Sequence, residues 1–64
     1  RILFYRAIAR AGRRLLLPGG RLYFEIYEHA AEETAQMLRQ EGYSAVELRE
    51  DLNGKPRMIC SRLT

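Results

Sequence analysis

Sixty-four residues, 47% hydrophobic and 30% charged, make at most one small domain and exclude both a disordered chain and a membrane-spanning one. Alone, a chain of this length hides only about 60% of the surface its unfolded form exposes, so its own core leaves it marginal. Eleven basic against eight acidic residues give a formal charge of +3, while the lone Cys60 excludes an internal disulfide framework and fits a reducing compartment. No apolar segment with a small-residue cleavage site marks a secretory signal. The chain opens at Arg1 and runs directly into a helical pattern, so a piece of a longer polypeptide is expected.

Phe4, Ile8, Ala11 and Leu15 recur at spacings of four, three and four, which predicts an amphipathic helix from about Leu3 to Leu16 with this stripe inward. Arg6, Arg10, Arg13 and Arg14 fall on the other side. Tyr5 borders the stripe, where it can bury its ring and keep its hydroxyl wet. Gly12 costs about 1 kcal/mol relative to alanine inside a helix, the mark of a close approach to the sheet. Pro18 cannot continue the helix, and Gly19 and Gly20 take positive φ freely, so the chain reverses there.

Leu22-Tyr23-Phe24-Glu25-Ile26-Tyr27 follows, a strand apolar enough to be buried on both faces and interrupted by one carboxylate, Glu25. A second helix is expected from about Glu28 to Glu41. Ala31, Ala35 (or Thr34) and Leu38 are its stripe, Met37 and Ala30 widen it, and Gly42 closes it in the left-handed conformation. Ser44–Glu50 alternates, with Val46 and Leu48 on one face and Glu47 and Arg49 on the other. Asp51 to Pro56 carries turn chemistry centred on Asn53-Gly54, and Arg57–Leu63 is a third short strand. The fold class is therefore α/β, in the order helix-strand-helix-strand-strand. A right-handed crossover sets the first two strands parallel, and the last inserts between them antiparallel to both, giving a mixed three-stranded sheet. An orphaned edge on the first strand is a surface for self-association.

Six arginines in the first third, Arg1, Arg6, Arg10, Arg13, Arg14 and Arg21, raise nucleic-acid binding. They lack the interleaved aromatics of single-strand binders, and the rest of the chain is acidic, so a solvated helix face with Arg13 and Arg14 at the favourable end of the dipole is preferred. A free-standing basic nucleic-acid-binding module stays as an alternative.

This element order, with Leu16-Leu17-Pro18-Gly19-Gly20-Arg21-Leu22, resembles the last third of a class I S-adenosylmethionine-dependent methyltransferase, a doubly wound fold whose sheet closes with an antiparallel hairpin. Phe4-Tyr5-Arg6, Gly20 with Leu22, Glu25-Ile26, Gly42-Tyr43, and Asp51 through Gly54 to Arg57 are similar in order and spacing to the C-terminus of the HemK/PrmC family. The resemblance implies residues 1–64 as the C-terminal part of a methyltransferase catalytic domain. Its parent would be a cytoplasmic enzyme that methylates the glutamine side-chain nitrogen in the Gly-Gly-Gln motif of peptide chain release factors, with S-adenosylmethionine as cofactor. A fragment of an RNA or small-molecule methyltransferase of the same fold is the alternative.

The chain departs from the family with Tyr27 where many members have glycine and His29 where glutamine is common. It also lacks the glycine-rich cofactor loop, the acidic ribose-binding residue and the Asn-Pro-Pro-Tyr segment. The 64 residues are thus expected to bind no cofactor and transfer no methyl group, with no catalytic, cofactor-binding or metal-ligating residue assigned. Membrane and metal are not expected partners.

Glu25, Arg57 and Tyr27 are the candidates for structural or substrate-edge roles. Glu25 lies near the C-terminal end of a strand, where doubly wound folds place ligands. As a buried acid, it is expected to pair with an arginine, Arg57 being the candidate, because an unpaired buried charge is costly. Arg57 is read as a hairpin anchor to Glu25 or Asp51. His29 is read as a surface residue, Cys60 as a small buried hydrophobe and Asp51-Asn53-Gly54 as a turn, not a calcium loop.

Overall fold

The computed structural model describes residues 2–15 and 18–64; the expected helix end at Leu16 lies outside them. Helix α1 spans Ile2–Leu15, strand β1 Arg21–Glu25, helix α2 Ala31–Gln40, strand β2 Tyr43–Glu50 and strand β3 Pro56–Leu63. A single 3-10 turn, Glu28–Ala30, leads into α2, so the second α-helix begins three residues later than its sequence pattern implied.

The strands lie in the order β1-β3-β2. As expected, the last strand inserts between the first two and runs antiparallel to both. β1 and β2 are parallel in direction but never touch, so both ladders are antiparallel. Register pairs Phe24 with Ile59 and Leu48 on one face, and Tyr23 with Cys60 and Glu47 on the other. Both helices cover the Phe24 face. Its core gathers Tyr5, Ala9, Phe24, Ile26, Met37, Leu38, Tyr43, Ile59 and Leu63. β1 is therefore buried on one face only: Phe24 and Ile26 are inside, whereas Tyr23 is 50% exposed.

α2 matches its sequence pattern, with Ala31, Thr34, Ala35, Met37 and Leu38 buried. Gly42 ends it at φ +95°, a conformation that costs glycine no Cβ clash. α1 does not match. Its buried residues are Tyr5, Ala9 and Gly12, while Phe4 is 65% and Leu15 82% exposed and Ala11 is also outside. Each helical residue turns the chain by about 100°. Phe4, Ile8, Ala11 and Leu15 therefore stand roughly a quarter turn to one side of the sheet-facing line, and Arg6 and Arg13 roughly a quarter turn to the other. The arginine side meets α2. The stripe is real, but it points away from α2, on the flank of the sheet where β1 has its open edge.

β2 holds a further departure. Tyr43 and the pair Val46 and Leu48 all face the helices, although strict alternation would place odd and even residues on opposite faces. The register slips between Ser44 and Glu47, and Ala45 takes φ +51°. This β-bulge absorbs one residue and brings both apolar sets onto the same side.

Candidate functional site

The candidate residues meet at the C-terminal end of β1. Phe4 and Tyr5 from α1, Glu25, Ile26 and Tyr27 from the strand end, and Arg57 from the start of β3 line an open cleft of about 460 Å³. Pairing delivers Arg57 there: the Ile26 N–H donates to the Arg57 carbonyl oxygen at 2.9 Å. Tyr5 packs its ring on Phe24 with centroids 5.2 Å apart, and its hydroxyl donates to the Glu25 carbonyl oxygen at 3.3 Å. That hydroxyl is bonded, not wet as the sequence suggested. It also shows that α1 reaches over the open edge, because alternation along the ladder turns the Glu25 carbonyl away from β3.

Three aromatic rings, a carboxylate and a guanidinium thus border one cleft. Glu25 is exposed, which overturns its expected burial, and its ion pair with Arg57 does not form. Strand alternation is the reason: Phe24 and Ile26 take the inner face, so Glu25 must point out. Arg57 is instead held by Asp51, Nε to Oδ2 at 2.9 Å. The other Asp51 oxygen accepts the N–H groups of Asn53 at 2.8 Å and Lys55 at 3.1 Å. Asp51 is therefore the turn residue that the sequence indicated, and it anchors Arg57. The Arg57 guanidinium, and then the Lys55 and Asn53 N–H groups, hold the Asp51 carboxyl below its usual range. Asp51 in turn raises the Arg57 pKa, and Glu28 and Glu25 add to this more weakly. Arg57 stays a fixed cation beside the Glu25 carboxylate, and Tyr27 is 51% exposed at the rim.

Such a cleft can orient a polar group between a donor fork and an acceptor. His29 is exposed on the surface, and Cys60 is buried on β3 as expected. Among the described residues, no group of three metal-ligating side chains gathers, and no helix is long and apolar enough to cross a membrane.

The arginines of α1 have a different task from the one their density suggested. Arg6 Nη1 donates to Glu41 Oε2 at 2.7 Å, Arg10 Nε lies 3.2 Å from both carboxylate oxygens, and Arg13 Nη2 is 3.4 Å from Oε1. Glu41, at the end of α2, is almost fully buried. The Arg10 hydrogen bond, aided by Arg6 and Arg13, holds its carboxyl below the usual range against burial, which raises it. These arginines join two helices, which removes them from the nucleic-acid reading. Glu41 carries no local sequence signal of this role, because its partners lie 28 or more positions away.

No family model matches the chain, and no solved structure matches it. Curated relatives do. Proteins named release factor glutamine methyltransferase from Bacteroides thetaiotaomicron and Flavobacterium psychrophilum are 43% and 38% identical to it over 58 residues. One from Clostridium acetobutylicum is 34% identical over 58 residues. Each match covers 91% of this chain but only 20–21% of the relative, so the chain spans about one fifth of their length. The resemblance carried by the glycine turn and the Glu25-Ile26 pair is thereby borne out.

Proposed function

We propose that this chain, similar over nine-tenths of its length to release factor glutamine methyltransferases, is the closing, C-terminal segment of such an enzyme's catalytic domain. One observation carries the reading: of the apolar stripe Phe4–Ile8–Ala11–Leu15 only Ile8 packs against the core, while Phe4, Ala11 and Leu15 stay exposed beside the open edge of β1. A strand laid against that edge would pair with β1 and bury the stripe under α1, adding to the sheet beyond what these residues supply.

In this reading the whole enzyme transfers a methyl group from S-adenosylmethionine to the glutamine side-chain nitrogen of the release-factor Gly-Gly-Gln motif. The cofactor would be held by residues outside this segment. Methyl transfer of this kind is mainly a positioning task, since nitrogen and sulfonium must be brought in line. The segment contributes by fixing the C-terminal edge of the sheet, where Glu25 and Arg57 can orient the acceptor peptide.

The test is transfer of labelled methyl groups to a release factor by the longer polypeptide, with the 64-residue chain as control. Methylation by the longer polypeptide alone is expected. Its failure on a Gly-Gly-Gln substrate, or saturable S-adenosylmethionine binding by the short chain, defeats the reading. Within it, Glu25→Gln is expected to lower kcat/KM by about tenfold, the loss of roughly 1.4 kcal/mol of orientation, with the fold intact.

A further inference from the structure

The face of the sheet opposite both helices holds a groove of about 190 Å³. Arg21 on β1 and Arg62 on β3 stand directly opposite each other at one end of it. Directly opposed like charges destabilise a ladder. Neither guanidinium has a hydrogen bond or ion pair among the described residues. Arg49, on the same face, is by contrast engaged by Glu47 at 3.3 Å. Tyr23 and the small Cys60 form the wall and floor beside the arginine pair.

We infer that this groove is a docking site for a carboxylate-bearing segment of the longer polypeptide, whose acid would bridge Arg21 and Arg62. The inference rests on the reading of the chain as one part of a longer enzyme. Charge sets the occupant: two opposed arginine forks match the oxygens of one carboxylate, and a bridging anion turns their repulsion into attraction. The exposed Tyr23 ring offers the apolar surface that such a segment covers. A polynucleotide fits less well, because it brings a phosphate at every step against Glu47 in this groove, where one exposed aromatic offers little stacking. About four-fifths of the relatives' length lies outside the matched region, ample chain to supply the cover.

The sign of one substitution decides the matter. In the 64-residue chain, Arg62→Gln removes a repulsion, so the melting temperature is expected to hold or rise. In the longer polypeptide it strips a buried acid of one of its two arginine partners, and a fall of about 3 °C or more is expected. Arg62→Lys should recover most of that loss. Equal effects in the two contexts, or no effect in the longer polypeptide, overturn the inference. Where the short chain shows no melting transition, the longer polypeptide decides: loss with Gln and recovery with Lys support the site, and no change overturns it. An oligoadenylate that raises the melting temperature of the short chain, but not of its Arg21→Gln variant, reassigns the groove to phosphate and also overturns it. None of these outcomes bears on methyl transfer, which is tested separately.

Discussion

Arg6 and Glu41 meet at 2.7 Å across 35 positions, and their contact joins the first helix to the last turn of the second. A carboxylate at a helix C-terminus opposes the dipole, yet Glu41 is buried there under three guanidiniums. Its charge is therefore sustained by α1. The folded state holds this carboxyl below its ordinary range, so the linkage has a definite sign. The stability it contributes is complete above the unfolded glutamate value of about 4.3 and is lost as pH falls through the lower folded value. Melts between pH 7 and pH 2.5 should show a falling melting temperature on the acid side. Glu41→Gln should lower the neutral-pH value and flatten this dependence, apart from a smaller part due to Asp51, which shifts the same way.

Tyr43 ties the sheet to the same helix by another route. Its buried hydroxyl donates to the Ala9 carbonyl oxygen at 2.7 Å, and burial raises its pKa above the ordinary phenol value. Tyr43→Phe should cost about 1 kcal/mol in urea unfolding, the usual worth of a buried hydrogen bond. The raised phenol also predicts alkaline loss: its contribution holds below about pH 10 and disappears as pH rises through the folded value. The Phe variant should lose that part of the alkaline dependence.

The stripe on α1 predicts a difference between contexts. Phe4→Lys and Leu15→Lys should change the stability of the 64-residue chain by no more than about 0.5 kcal/mol, as exposed substitutions do. In the longer polypeptide, each should cost about 1.5–3 kcal/mol, the worth of a buried large apolar side chain. Chemical unfolding of both proteins measures this. Equal effects would mean that nothing packs on the stripe.

Element order, the position of β3 and the Asp51–Lys55 turn were legible because local pattern and turn chemistry set them. So was the buried side of α2, whose Ala31–Ala35–Leu38 line has no competing apolar face. α1 misled because it carries two faces. One is the Tyr5–Ala9–Gly12 line that this chain buries, and the other is the stronger stripe, of which it leaves Phe4, Ala11 and Leu15 open. Periodicity finds an apolar face but does not say which neighbour covers it. Glu25 and Tyr27 stand out in the sequence by their place at the strand end and Arg57 as a hairpin anchor, yet which acid holds Arg57 was not legible. Glu25 and Asp51 compete for one arginine, and the turn holds Asp51 already aligned with Arg57. Glu41 left no local signal at all.

The bulge in β2 did leave a signal, in the odd-to-even change from Tyr43 to Val46 and Leu48. Ala45 takes up that change at φ +51°, a conformation costing a non-glycine residue roughly 1–2 kcal/mol. Ala45→Gly should therefore stabilise the chain, by less than about 1 kcal/mol once glycine's extra unfolded-state entropy is counted. Ala45→Val should destabilise it, since β-branched side chains fit the left-handed region worst. Deleting Ala45 should cost less than Ala45→Val, because it removes the extra residue, closes the register slip and leaves Tyr43, Val46 and Leu48 on one face by strict alternation. Urea unfolding of the three variants orders these effects, and a deletion that costs more than Ala45→Val would show that Ala45 is not merely the extra residue of the slip.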